Sequence, residues 1–266
     1  MLKFSKATKQ AKLGRIVDWM TPILNVLKVG VAINFKKIEI WSFSLPSGAA
    51  CPAATECKST AERVTGKITD GIDTIYRCFS ASQEAVFKPV RQQRWHNFDI
   101  LRKLDTAGMV AALCEAIPDS GPATLDVIRI HVGGDFFNQK YFDAWLEVAK
   151  RYPNKIFYAY TKSLNYWVER IDEIPSNLRL NASRGGRHDH LITEHNLKCA
   201  EVVFSVEEAE SRGLEIDHDE SHAILGEDSF ALLLHGTQPK GSEAAEAIKK
   251  MNTNKVEYAY STGKGN

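Results

Sequence analysis

The chain has 266 residues, with 34 Lys and Arg against 33 Asp and Glu, so its formal net charge is +1 with eight His taken as neutral. A hydrophobic fraction of 44% beside 25% charged residues excludes a disordered or fibrous polymer and suits a globular core. A net charge this close to zero supplies no overall field to gather nucleic acid or an anionic membrane, so a nucleic-acid partner would need a local basic patch.

No stretch approaches the roughly 20 apolar residues of a membrane span. The basic N-terminus does not run into an apolar core and a small-residue cleavage site. The expectation is a cytoplasmic protein with no membrane partner. Five cysteines are an odd number, and a chain of this length does not need disulfides to hold a core, so thiol or thiolate roles come first.

Residues 1–36 form an N-terminal extension with one amphipathic helix expected at 13–27, where Ile16, Trp19, Met20, Ile23 and Leu24 share a face. Residues 37–43 alternate like a strand. From 44 to 94 no long periodic run occurs, and three cysteines lie among Pro and Gly breaks. A structureless connection of that length is uncommon unless it binds something. A helix is expected at 98–117, a strand at 125–132 ending in Gly133-Gly134-Asp135, and a helix at 138–151 with Asn138 as cap. Strands at 155–161, 178–183, 201–205, 214–216 and 230–236 then alternate with helices at 164–171, 207–211 and 242–250, before a closing segment at 255–261.

That alternation predicts one α/β domain over residues 1–266, an open or partial (β/α) barrel of about six to eight parallel βα units with an inserted cysteine-rich loop. Polar and glycine residues follow the strands: Gly133-Gly134-Asp135, Thr161-Lys162-Ser163, Ser183-Arg184-Gly185-Gly186 and His235-Gly236-Thr237. In a barrel these strand ends converge on one mouth.

The sharpest chemical signal is the loop itself. Cys51 and Cys57 enclose five residues, and twenty more separate Cys57 from Cys78. Three thiolates brought together favour a soft metal, either an iron–sulfur cluster or zinc, and three thiols that bind no metal are the remaining reading. A [4Fe-4S] cluster uses three thiolates and leaves one iron for a substrate or another ligand. Cys114, within a helix, and Cys199, before a strand, read as buried thiols, though either remains a candidate fourth ligand.

A barrel of βα units with a three-cysteine loop after its first strand and Gly-Gly-acid after its second resembles the radical S-adenosylmethionine superfamily. That superfamily spaces its cysteines C-x3-C-x2-C, and Cys51, Cys57 and Cys78 do not. CPAATEC with RCFSA, RIHVGGDF, YFDAW and FYAYTKS resembles more closely the phage-associated gene product 88 family, over about residues 40–205. The resemblance implies an iron–sulfur protein of viral or mobile-element type with a partial radical-enzyme barrel. In radical enzymes the Gly-Gly-Glu stretch lies near the amino group of S-adenosylmethionine, and Gly133, Gly134 and Asp135 match it.

Around the loop, two glycines let a ligand approach the backbone and Asp135 can pair with an ammonium; a strand-to-helix turn with a capping Asp is the other reading. His131 can donate to a cluster sulfide or complete the ligand set, or be a buried structural histidine. Lys162 and Ser163, with Arg184 and Arg187 flanking Gly185-Gly186, suit an anion. His235 ends an apolar strand toward the same mouth. RHDH at 187–190 and IDHDESH at 216–222 bring His188, His190, Asp217, His218, Asp219 and His222, but at no defined metal spacing. RQQRWHNFD at 91–99 mixes Arg with aromatics, as a nucleic-acid contact or as the start of a helix.

Three functions remain. A cluster can transfer electrons, sense redox state or stiffen a surface for a host or phage protein. A cluster with an open iron can bind S-adenosylmethionine and act as a radical enzyme on a small molecule. A zinc clip can order a nucleic-acid-binding module.

Overall fold

The computed structural model describes residues 1–6 and 37–256. The helix expected at 13–27 lies outside these residues, as does most of the segment at 255–261. Strand β1 (Ser5–Lys6) pairs antiparallel with β2 (Lys37–Phe43). After the hairpin β3 (Ser59–Ala61) and β4 (Ile68–Asp70) come helices α1 (Phe79–Val86), α2 (Lys88–Leu101) and α3 (Thr106–Ala116). Then β5 (Thr124–Ile130), α4 (Gln139–Arg151), β6 (Ile156–Thr161), α5 (Leu164–Val168) and β7 (Leu178–Ser183) alternate. The remaining elements are α6 (His190–Glu194), β8 (Cys199–Val203), α7 (Val206–Ser211), β9 (Glu215–Ile216), α8 (Ser221–Ile224), β10 (Phe230–Leu233) and α9 (Glu243–Thr253).

Among the described residues the main sheet has eight strands in the order β1-β2-β5-β6-β7-β8-β10-β9. All pairs from β2 onward are parallel. Among the described residues the sheet does not close, with β1 and β9 at its edges, so the expected parallel βα units are present in an open sheet and a barrel is not formed. From β5 to β8 each strand lies beside the one before it. Right-handed crossovers that always step in one direction put their helices on one face. Accordingly, Ile128, Ile130, Phe157, Ala159 and Ala182 pack with residues of α2, α3, α4, α5 and α6 in one core. The alternate residues Leu125, Val127, Ile156 and Tyr158 face the other way, against Phe230 and the Ala223–Ile224 end of α8. Strands covered on both faces read as the continuous apolar runs that the sequence showed. Helix α4 is set by its Asn138 cap, whose side chain accepts from the Tyr141 N–H at 2.9 Å, and by its buried Tyr141, Phe142, Trp145, Val148 and Ala149.

Two sequence expectations change. The stretch 44–94 is not structureless, since it contains the β3–β4 hairpin, α1 and the start of α2, stabilised by contacts distant in sequence. The helix expected at 98–117 is two helices, because Asp105 caps α3 by accepting from the Gly108 N–H at 2.8 Å and so breaks the run.

A buried ion pair joins α1 to α2. Arg94 donates to Glu84 Oε1 at 2.7 Å, with the two side chains 4% and 0% exposed. The same Glu84 oxygen accepts from the N–H and the hydroxyl of Ser47 at 2.9 and 2.8 Å. Arg94 also donates to the Ser80 carbonyl at 3.0 Å and to Gln83 Oε1 at 2.5 Å. Removing one partner leaves the other charge buried alone, so Glu84→Ala is expected to destabilise the fold by about 3–5 kcal/mol in urea unfolding. A loss below about 1 kcal/mol, the scale of an exposed pair, would show that the pair does not organise this region.

Candidate functional site

The cysteine segment is strapped across the C-terminal ends of the parallel strands. After β2, the Leu45 N–H donates to the Gly133 carbonyl at 2.8 Å, and the Asp135 N–H donates to the Ala50 carbonyl at 3.1 Å, which ties the segment to the end of β5. Thr55 donates its N–H and hydroxyl to the Gly185 carbonyl at 3.3 and 2.8 Å, and the Arg187 N–H donates to Ala53 at 2.9 Å, which ties it to the end of β7. Farther on, the Arg77 N–H donates to Gln238 Oε1 at 2.7 Å, and Ser82 donates to the Thr237 carbonyl at 3.1 Å, beyond the end of β10.

This strap brings Cys51, Cys57 and Cys78 together, each partly exposed and none in a disulfide. The three sulfurs lie within electrostatic reach of one another, and Cys51 and Cys57 within reach of Asp135. Burial pushes the Cys51 thiol up, and the neighbouring Asp135, Cys78 and Cys57 push it further. Burial likewise pushes Cys57 up to about 11, against the opposing pull of the Lys162 ammonium. The Tyr76 hydroxyl, raised chiefly by burial, interacts with Cys57 and Cys78. As free thiols Cys51 and Cys57 are held protonated, and only a bound cation or a fixed positive charge makes thiolates favourable there. Among the described residues, no group of three or more His, Cys, Asp or Glu is set to hold a metal ion.

The other expected residues divide into those at the strap and those away from it. Gly134 has φ +84°, and a Cβ there would stand 2.6 Å from Leu45 Cβ. A Cβ on Gly133 would meet the Arg94 guanidinium at 2.8 Å. Both glycines therefore admit parts of this chain. Asp135 is 5% exposed and accepts from the Phe136 N–H at 2.7 Å, the Thr161 hydroxyl at 2.6 Å and the Lys162 N–H at 2.9 Å. Burial raises its carboxyl above the usual range, and these three donors pull it back. The Lys162 ammonium donates to Ser183 and to the Arg184 carbonyl. Ser163 donates to the Phe136 carbonyl at 2.8 Å.

His131 is not on the strand. It follows β5 with φ +79°, and its Nε2 meets the Tyr141 hydroxyl at 2.9 Å on the helix-covered face. Burial drives its pKa down to about 3, so the ring is neutral. His235 bonds the Leu233 carbonyl through Nδ1 at 3.1 Å and lies 4.9 Å from the Phe79 ring, beside Cys78; burial lowers its pKa too. The Arg184 side chain turns to Glu201 at 2.7 Å. Cys199 is buried in β8 and Cys114 is half-buried on α3. His188 and His190 lie 6.3 Å apart, whereas His222 bonds Glu215 at 2.9 Å, and Asp217 caps its own loop through the Asp219 and Ala223 N–H groups. Glu220 in that stretch turns inward to Arg129 and Tyr158. Within RQQRWHNFD, Arg91 and Arg94 are each 3% exposed and bonded inside the protein, so neither offers a basic surface to nucleic acid.

Sequence reasoning missed Tyr76, Glu84 and Arg94. Tyr76 had a signal in standing two residues before Cys78. The other two had none, because a pair ten residues apart across a helix break has no local pattern. Six large apolar side chains between residues 64 and 87 are exposed: Val64, Ile72, Ile75, Phe79, Val86 and Phe87.

The family profile described as gene product 88 matches residues 5–254. The Gene 88 protein of Mycobacterium phage D29 is 30% identical over 146 residues, covering 52% of this chain and 54% of that protein. The Gene 88 protein of Mycobacterium phage L5 is 30% identical over 128 residues, covering 46% of this chain and 47% of that protein. The chain thus spans about half the length of the curated relatives it matches. No solved structure matches it. No helix among the described residues is long and apolar enough to cross a membrane.

Two outcomes are expected from this geometry. Gly134→Ala forces an L-residue into left-handed backbone against Leu45 and should cost at least about 1–3 kcal/mol, read as a lowered urea midpoint. His131 has its folded pKa depressed to about 3, so its contribution is present above its ordinary pKa of about 6.5 and is lost as pH falls toward 3. His131→Asn keeps a side chain that tolerates positive φ and should flatten that part of the stability–pH profile; an unchanged slope would contradict the buried neutral ring.

Proposed function

The chain belongs to the gene product 88 family, and from that premise we propose that it is an iron–sulfur protein of bacteriophage origin working in the host cytoplasm. Cys51, Cys57 and Cys78 hold the cluster, and its role is electron transfer, redox sensing or contact with a host or phage protein. The observation that carries this reading is the convergence of three thiols on one strap, beside a buried ammonium, at the ends of three parallel strands. When bound, a [4Fe-4S] cluster supplies a one-electron couple. The chain's part is to hold the thiolates in place, limit water and set the local charge. The exposed apolar residues at 64–87 belong to the same segment and support a protein-contact role.

A second reading, S-adenosylmethionine on an open iron, is favoured by the site's position beyond the carboxyl ends of parallel strands, where α/β proteins bind ligands. Against it, Arg94 and Leu45 already fill the space beside Gly133 and Gly134, and three donors engage Asp135.

The test is iron, acid-labile sulfide and zinc content of protein purified without oxygen. About four irons and four sulfides per chain are expected. Cys51→Ala, Cys57→Ala and Cys78→Ala should each lose most of that iron, and Cys114→Ala should retain it. About one zinc without sulfide would replace the cluster by a structural clip. S-adenosylmethionine should leave the EPR spectrum of the reduced protein unchanged, and an altered spectrum would favour the second reading.

A further inference from the structure

We propose that the groove along the outer side of α2 is a docking site for an acidic amphipathic segment of a partner protein, with lysines on its rim and aliphatic side chains between them. This deepens the protein-contact part of the proposed function, but it rests on α2 and the β3–β4 turn and needs no cluster. The groove has a volume of about 1080 Å³ and follows α2 from Lys88 in its first turn to Lys103 just past its end. Fourteen helical residues give it a length of about 21 Å.

Its walls are held in place from inside the protein. The buried Arg91 donates to the Arg63 and Val64 carbonyls of the β3–β4 turn and to the Glu84 carbonyl of α1. A Cβ on Gly66 would stand 3.0 Å from the Ala85 carbonyl, so the turn rests directly on the junction between α1 and α2. On the other wall Asn97 engages both backbone groups of Lys3 at 2.9 Å. The clamp keeps Val64 and Phe87 in water, 77% and 53% exposed, next to a groove that Pro89, Ile100 and Leu104 also line. Apolar side chains held outward and rimmed by polar ones mark a contact surface.

Charge selects the occupant. The groove's one carboxylate, Asp99, is taken by Arg63 at 2.5 Å and Arg102 at 2.9 Å. Lys3, Lys88 and Lys103 have no ion-pair partner among the described residues, so cations stand unmatched at both ends of α2. Carboxylates answer the lysines and an apolar face answers the aliphatic stretch between them, which is the pattern of an acidic amphipathic peptide. A nucleic-acid strand fits less well. Asp99 lies in the path of its phosphates, and the Trp95 ring carries the Arg63 guanidinium 5.0 Å above it where a base would stack.

The experiment uses the full chain purified without oxygen and a fluorescein-labelled peptide of about 18 residues, with Leu on one helical face and Glu on the other. Fluorescence anisotropy reads binding, and circular dichroism and iron content are measured on the same samples. Wild-type protein should bind the peptide, more weakly as salt rises, and a peptide with Lys in place of every Glu should not compete. Lys88→Glu with Lys103→Glu should weaken binding at least about tenfold, as should Val64→Ser with Phe87→Ser. All four side chains are exposed, so these variants keep the fold. Lys249→Glu with Lys250→Glu makes the same charge change on α9 and should stay within about twofold of wild type. No binding by wild type at about 1 mM protein, or equal binding by the groove variants, would overturn the proposal. Tighter binding of a single-stranded oligothymidine would replace the partner by nucleic acid, and self-association lost in the groove variants would replace it by a second copy; either overturns it. Iron-loaded protein that ignores the peptide defeats this inference alone, whereas iron-free protein that binds it defeats the cluster reading alone.

Discussion

The buried pair of Glu84 and Arg94 is the constraint on which the site depends. Through one Glu84 oxygen it grips Ser47, four residues before Cys51, and through Arg94 it grips Ser80, two residues after Cys78. The same guanidinium occupies the space left by the missing Cβ of Gly133. One ion pair therefore joins both arms of the cysteine segment to the turn that ends β5. Such pairs add little net stability compared with an apolar replacement, but they penalise every arrangement that leaves one charge alone. Here that penalty selects the arrangement in which the two outer cysteines lie within electrostatic reach of each other.

Charge around the thiols is arranged in opposition. Asp135 makes a thiolate harder to form at both Cys51 and Cys57, whereas Lys162 makes one easier at Cys57. Both belong to the rigid ends of adjacent strands, and the Asp135 side chain accepts from the Lys162 backbone N–H. The electrostatic character of the site is thus built into the sheet and does not depend on the loop above it. Residues after β5, β6, β7 and β10 contribute at one end of the open sheet, without a closed barrel.

What was legible in the sequence was what local physics decides. The apolar runs of β5 and β6 announce strands covered on both faces, and Asn138 announces α4 because a cap acts within one turn. The cysteines announced themselves by chemistry. The hairpin at 59–70 was invisible, since its short strands carry no period long enough to register and depend on packing from outside. Gly133 and Gly134 were visible as a close approach, but the sequence does not say whose atoms approach, and Arg94 and Leu45 come from distant segments. His131 read as a strand residue because the apolar run continues to Val132, whereas the backbone turns into a left-handed conformation one residue after β5.

The strap joins residues that are far apart along the chain. Thr55 meets Gly185 across 130 positions, and Arg77 meets Gln238 across 161. Contacts of such separation carry a loop-closure cost that must be met before they return any stability, and they form late. During synthesis the three cysteines emerge from the ribosome long before the strand ends that hold them. For most of that time they lie on an unanchored segment, and the full set of strap contacts exists only once β10 has joined the sheet. Assembly of the strap is therefore a final act of folding.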